Sequence, residues 1–218
     1  PVSPRNIFPS NIQGLPTWYE VRVNEKGYQG RRGGVDLMVA MNPQTWDNDL
    51  KEIESGGYLF YDNSKPLPPG KFRSDVTPIG MPLTEICNTT YSDPRQRQLF
   101  KNIIYVGALS ALLELDPQEI EKLFSEQYKG KEALLQSNVK ALHLGRDYAL
   151  KNLPCPLGIR LRRANNVGDK IFTDGNSAAA LGAVYGGASV CAWYPITPSS
   201  SLAEAFMAYC KKLRVDAD

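Results

Sequence analysis

The chain has 218 residues, 42% of them hydrophobic and 22% charged, a composition that folds rather than remaining disordered. A net charge of +2 is too balanced to make nucleic acid or an anionic membrane the main partner. No apolar run reaches the roughly 20 residues of a membrane span, so a cytoplasmic protein is expected. PVSPRNIFPS (1–10) opens as a proline-rich extended stretch. TWYEVRV (17–23) has β-branched and aromatic residues at strand spacing, and VDLMVAM (35–41) is a nearly unbroken apolar run, as in a strand buried on both faces. PQTWDNDLKEIESGG places Trp46, Leu50 and Ile53 at helical spacing and predicts a helix stopped by Gly56 and Gly57. YLFYDNS then forms a third strand, which KPLPPG cannot continue. Strand, helix, strand in that order predicts an α/β layer with a parallel sheet.

From 94 to 152 the pattern is helical. Leu99, Ile103, Val106, Leu109 and Leu113 are expected to form one buried stripe. Asp116 is expected to cap the next helix, with Pro117 at its first position and Glu119 three residues on. A third helix follows Gly130. Residues 153–170, with two prolines and the Arg160, Arg162, Arg163 cluster, are expected to be a solvated linker, with a domain boundary near 165.

GNSAAALGAVYGG (175–187) is an Ala-rich helix closed by Gly186 and Gly187, ASVCAWY (188–194) is expected to be a buried strand, and SLAEAFMAYCKKL sets Leu202, Phe206, Tyr209 and Leu213 on one helical face. Helix, strand, loop and helix in so few residues bury too little surface to offset chain entropy. The strand is therefore expected to join a sheet supplied by further residues or by another chain.

Cys87, Cys155, Cys191 and Cys210 are scattered without a C-x-x-C pair and are expected to be reduced, buried thiols. His143 lies in a helical pattern where an ordinary structural imidazole is expected. Gly30 to Gly34 precede no helix, so GRRGG is a turn rather than a phosphate cradle. The richest stretch is WYPITPSSSL (193–202). Tyr194 and Thr197 each precede a proline and are pushed toward extended backbone. Pro195 and Pro198 fix φ and remove two donors. Ser201 and Glu204 match a capping box. The result is a stiff connection into a helix N-terminus, suited either to holding the Thr197 hydroxyl against a substrate carbonyl or carboxylate or to a tight, well-capped turn.

The segment GNSAAALGAVYGGASVCAWYPITPSSSLAEAF resembles the start of the α domain of 2-oxoacid:ferredoxin oxidoreductases, in which Tyr-Pro-Ile-Thr-Pro is a signature. PSNIQGLPTWYEVRV, GRRGGVDLMVAMN and GGYLFYDNS resemble that family's γ domain. The order, γ ahead of α, is that of the two-subunit enzymes, most like the 2-oxoglutarate type. The resemblance implies a flavodoxin- or Rossmann-like γ domain with a helical extension (1–152), a linker (153–170) and the first part of a thiamine-diphosphate-binding, pyrimidine-type α/β domain (171–218).

It further implies oxidative decarboxylation of 2-oxoglutarate with coenzyme A as co-substrate, giving succinyl-CoA, CO2 and reduced ferredoxin, and the reverse carboxylation. Thr197 would be the catalytic hydroxyl, with Tyr194, Pro195, Ile196, Ser199 and Ser200 around the cofactor and substrate. Thiamine diphosphate with Mg would be shared with a β subunit carrying a 4Fe–4S cluster, and the chain would associate into a dimer of α–β pairs. Pyruvate or branched-chain 2-oxoacids as substrate, and a purely structural or docking role, are the alternatives.

Overall fold

The computed structural model describes residues 2–7, 14–164 and 168–214. The chain divides into two compact units, Pro1–Ala164 and Asn165–Asp218. The predicted boundary near 165, on residues 165–167 of the 153–170 segment, and residues 8–13 of the opening stretches lie outside the described residues.

In the first unit, β1 (Val2–Ile7) and β2 (Trp18–Val23) pair antiparallel, with Val2 opposite Val23 and Ile7 opposite Trp18. The Trp18 indole donates to Asp49 Oδ1 at 2.8 Å and ties this ribbon to α1 (Trp46–Glu52). The expected parallel sheet is present, as β3 (Val35–Ala40), β4 (Ile53–Asp62) and β5 (Thr77–Met81) in the order β3-β4-β5. Leu59 and Phe60, adjacent on central β4, are both almost wholly buried. They point to opposite faces because successive strand side chains alternate. Leu59 joins Ala40, Trp46, Leu50, Ile53 and Val76 on one side, and Phe60 joins Ile79, Met81, Phe100 and Ile104 on the other.

The helix expected to reach Gly56-Gly57 is shorter. It ends at Glu52, because Ile53 turns extended and pairs with Val35. The two glycines bend β4 rather than stop a helix: Gly56 has φ +81 and donates to the Asp75 carbonyl at 2.7 Å. A Cβ on Gly57 would lie 2.8 Å from the Glu54 carbonyl oxygen. β1, β5 and the short helix α2 (Leu83–Thr90) were not expected from the sequence. Pro4, Pro78 and Gly80 interrupt their patterns, and such residues are tolerated where a strand is at an edge.

The long helices are α3 (Pro94–Leu112), α4 (Pro117–Gln127) and α5 (Glu132–Asn152). The Asp116 cap forms, its carboxylate accepting from the Gln118 N–H at 3.0 Å. The predicted stripe on α3 is displaced. Leu99 is 68% exposed, and the buried row is Phe100, Ile104, Gly107, Ala108 and Ala111. Small residues take that face because α5 approaches closely, with Gly107 against the Leu142 carbonyl and Gly145 against that of Ile104.

Residues 153–161 are no free linker. Leu157 is buried and donates its N–H to the Leu112 carbonyl at 2.8 Å, Leu161 donates to Leu113 at 3.1 Å, and Gly158 donates to the Tyr58 hydroxyl at 3.1 Å. The first two bonds satisfy carbonyls that the end of α3 leaves open. Arg160 and Arg163 reach Glu114 and Glu119 at 3.5 and 3.2 Å on the surface. His143 is hydrogen-bonded to Glu121 at 2.8 Å. All four cysteines are free, and only Cys87 is fully buried, the others being half-buried. No helix among the described residues is long and apolar enough to cross a membrane.

The second unit packs α6 (Gly175–Tyr185) against α7 (Ser199–Leu213) through Ala180, Val184, Ala203 and Phe206. Helix α6 ends at Tyr185 with Gly186 as its C-cap, and Gly187 has φ +84, so the glycine pair closes the helix as the sequence predicts. The expected buried strand at 188–194 is not formed. The segment belongs to no sheet, and Val190 is 82% exposed. Backbone pairing needs a neighbouring strand, and the described residues of this unit supply none. On α7, Leu202 and Tyr209 are half-buried with Phe206, but Leu213 is exposed.

Candidate functional site

The 193–202 loop is held from both ends. Asp174 caps α6, accepting from the Ser177 N–H at 2.9 Å and from its hydroxyl at 2.6 Å. The Ser177 hydroxyl, followed by its backbone N–H, holds the Asp174 carboxyl below the usual carboxylate range. Two residues on, the Asn176 amide donates to the Pro198 carbonyl at 2.8 Å and to the Ser201 hydroxyl at 2.7 Å. The start of α6 thus clamps the start of α7. Asn176→Ala should cost about 1 kcal/mol in a thermal melt of the chain, since it removes two exposed hydrogen bonds.

The capping box does not form. Helix α7 begins three residues earlier than that motif requires, at Ser199 with Pro198 as its N-cap and no side-chain cap. Ser201, already inside the helix, turns its hydroxyl back to the Pro198 carbonyl at 3.0 Å. Ser199 does the local bracing. Its hydroxyl shares its one proton between the Tyr194 and Ile196 carbonyls, at 2.6 and 2.7 Å, and its N–H donates to the Ile196 carbonyl at 2.7 Å. Ser200 N–H also reaches the Ile196 carbonyl, at 3.3 Å. A second tight bond, Ile196 N–H to Tyr194 carbonyl at 2.8 Å, folds the apolar tip.

What this scaffold presents is Tyr194, Pro195, Ile196 and Thr197, all exposed. Tyr194 is 76% and Ile196 58% accessible, which leaves an apolar lip beside a hydroxyl. The Thr197 hydroxyl makes no hydrogen bond within the described residues, whereas Ser199 is fully engaged with backbone. Four of the six residues singled out in the sequence lie on this loop, and the other two, Ser199 and Ser200, open α7 directly behind it. They divide into a presented set, Tyr194 to Thr197, and a supporting set, Ser199 and Ser200. The free hydroxyl can donate to a carbonyl or carboxylate, and the lip can cover an apolar ring.

A second polar cluster was not legible in the sequence. Asp62 ends β4, and its carboxylate collects five donors. Oδ1 accepts from Ser64 N–H at 3.1 Å, Ser64 Oγ at 2.6 Å and Thr84 N–H at 3.3 Å, while Oδ2 accepts from Thr84 Oγ1 and, at 2.6 Å, from Lys101 Nζ. Lys101 Nζ also donates to Thr84 Oγ1 at 2.8 Å. Burial works to raise the Asp62 carboxyl, but the Lys101, Ser64 and Thr84 hydrogen bonds outweigh it and hold the group well below the usual carboxylate range. Its partners are 2, 22 and 39 residues away in sequence, so no local motif announces it. Among the described residues no three His, Cys, Asp or Glu side chains converge on a metal-sized site.

With a three-stranded parallel sheet flanked by helices and a proline-braced, hydroxyl-bearing loop in the second unit, the chain can be set beside known proteins. Residues 1–148 match the family described as pyruvate ferredoxin/flavodoxin oxidoreductase, and the chain belongs to that family. It is 25% identical over 231 residues to the 2-oxoacid:ferredoxin oxidoreductase 2 subunit alpha of Aeropyrum pernix, a match covering 88% of this chain and 36% of that one.

Among solved structures it is similar to 2-oxoglutarate:ferredoxin oxidoreductase from Magnetococcus marinus with 2-oxoglutarate, coenzyme A and succinyl-CoA bound. There the TM-score is 0.79 at 27% identity, over 97% of this chain and 36% of that chain. The keto/oxoacid ferredoxin oxidoreductase gamma subunit from Geobacter sulfurreducens has a TM-score of 0.50 at 20% identity, covering 69% of this chain and 80% of that one, and shares the fold. The chain therefore spans about a third of the length of the first of these relatives and of the Magnetococcus structure.

Proposed function

We propose that this chain forms part of a 2-oxoglutarate:ferredoxin oxidoreductase, with a γ-type domain over residues 1–152 and the opening of an α-type, pyrimidine-binding domain over 171–218. The observation that carries the reading is the likeness to the Magnetococcus 2-oxoglutarate enzyme, which runs over 97% of this chain and through both units. The exposed lip of the 194–197 loop, with a Thr197 hydroxyl that has no partner among the described residues, supports it.

In this reading Thr197 donates to the 2-oxo oxygen of the substrate and stabilises charge as it develops there. Tyr194, Pro195 and Ile196 exclude water from one wall of the pocket. Ser199 and Ser200 keep the loop from relaxing, so the donor is preorganised. Thiamine diphosphate, when bound with Mg at the junction with a β subunit, supplies the electron sink for decarboxylation. An apolar lip and a single hydroxyl fit the edge of that cofactor, and its diphosphate and Mg ligands belong to the partner. The β subunit also carries the 4Fe–4S cluster that passes electrons to ferredoxin, and the active particle is a dimer of α–β pairs. Coenzyme A is the acyl acceptor.

The test is a ferredoxin-reduction assay of the complete complex, purified with its β partner, given coenzyme A and either 2-oxoglutarate, pyruvate or 2-oxoisovalerate. The expected outcome is a kcat/KM for 2-oxoglutarate at least about tenfold above the others, the margin one well-placed partner for the distal carboxylate provides. A preference for pyruvate or the branched-chain acid would overturn the substrate assignment.

A further inference from the structure

At the carboxyl end of a parallel strand, beside the start of the next helix, α/β units ordinarily hold a ligand's phosphate or carboxylate. In the first unit that place lies where β4 ends at Asp62 and α2 begins at Leu83. Helix α2 has Pro82 as its N-cap and no capping side chain of its own. The anion it receives comes from the neighbouring strand. Asp62 Oδ1 takes the Thr84 N–H, Ser64 Oγ takes the Glu85 N–H at 3.0 Å, and Lys101 from α3 closes the other side at 2.6 Å. The Asp62 side chain is 16% and that of Lys101 28% exposed. The Thr84 and Glu85 N–H groups and the Lys101 ammonium, which would greet an incoming oxyanion here, are already engaged by the chain itself.

We infer that the Asp62 carboxylate is a built-in anion that closes this crevice to phosphate- or carboxylate-bearing ligands and locks β4, α2 and α3 together through Thr84 and Lys101. The crevice is thus a scaffold element, and any anionic substrate of the assembled enzyme is gripped elsewhere. This goes beyond the proposed function and does not depend on which 2-oxoacid is used.

The experiment is a thermal melt of the full chain in its complex, wild type against Asp62→Ala, in sodium chloride, sodium formate, formamide and inorganic phosphate. Removing one partner of a largely buried pair is expected to lower Tm by roughly 5–10 °C. Formate, which replaces the lost carboxylate, should recover several degrees in the variant alone, phosphate should stabilise the variant but not the wild type, and neutral formamide should do nothing. A wild type stabilised by phosphate as strongly as the variant, or a variant helped no more by formate than by chloride, would overturn the inference.

If Asp62→Ala does not fold, Asp62→Asn decides the matter. It leaves the Lys101 charge without a carboxylate partner, so adding Lys101→Met should raise its Tm although Lys101→Met lowers that of the wild type. Equal losses in both backgrounds would show that the two residues are uncoupled and sink the idea.

Discussion

Gly145→Ala is expected to destabilise the first unit by about 3 kcal/mol or more, and Gly107→Ala by nearly as much, the upper range for overpacking a tight core. A Cβ on Gly145 would lie 1.8 Å from the Ile104 carbonyl oxygen, and one on Gly107 would lie 2.0 Å from that of Leu142. Both obstructing atoms are helical backbone, so no rotamer change relieves the clash. Either α3 and α5 separate or both helices bend, and separation strips contacts from Ile104, Ala108, Ala141 and Ala149, all of which are fully buried. Denaturant unfolding of each variant measures the loss. The two losses should not add, because a crossing already forced apart by one methyl accommodates the second at lower cost. Gly182, mid-helix in α6, is the control, since a methyl placed there would meet nothing within 4 Å. Gly182→Ala should be neutral or stabilising by up to about 1 kcal/mol, the intrinsic helix preference of alanine. Equal behaviour of Gly145→Ala and Gly182→Ala would refute the close crossing.

Thr197→Ala in the complete enzyme should lower kcat by about 10²–10³, the effect of deleting one preorganised donor to a developing oxyanion. Stability should hardly change, because the residue is exposed and its hydroxyl has no partner within the described residues. Thr197→Ser keeps the donor and should restore most of the rate. Ser199→Ala is the informative contrast. Its hydroxyl braces the Tyr194 and Ile196 carbonyls, so its loss should loosen the loop, lowering Tm and turnover together. Wild-type ferredoxin reduction by Thr197→Ala would remove the catalytic role assigned to that hydroxyl and favour a loop that is only a corner.

The long-range cluster around Asp62 and the glycine crossing share one property: both are contacts between elements far apart in sequence. Gly107 and Gly145 did leave a trace, since a glycine inside a helical pattern carries a cost that a packing reason commonly offsets. The trace shows that something approaches, and the partner emerges only when α3 and α5 meet. The misplaced stripe on α3 has the same origin. Leu99, Ile103 and Leu113 have the right spacing, but α5 selects the neighbouring face because Gly107, Ala108 and Ala111 permit its approach.

Local chemistry was readable directly from residue order. The apolar run of β3, the Asp116 cap with Pro117 behind it, the glycine stop of α6 and the stiff 193–202 connection each depend on neighbours a few residues away, and sequence displays those. The Gly56-Gly57 pair misled because glycine serves equally to end a helix and to bend a strand, and the pairing of Ile53 with Val35 decides between them. Likewise, an apolar seven-residue run at 188–194 predicts a strand, yet a strand exists only where another lies beside it. The Asp116 cap and the glycine stop of α6 are therefore written in the sequence, while the true start of α7, the choice of buried face, the close approach of helices and the long-range bonds to Asp62 belong to the tertiary structure. Those features are set by which distant surfaces come within van der Waals and hydrogen-bonding reach.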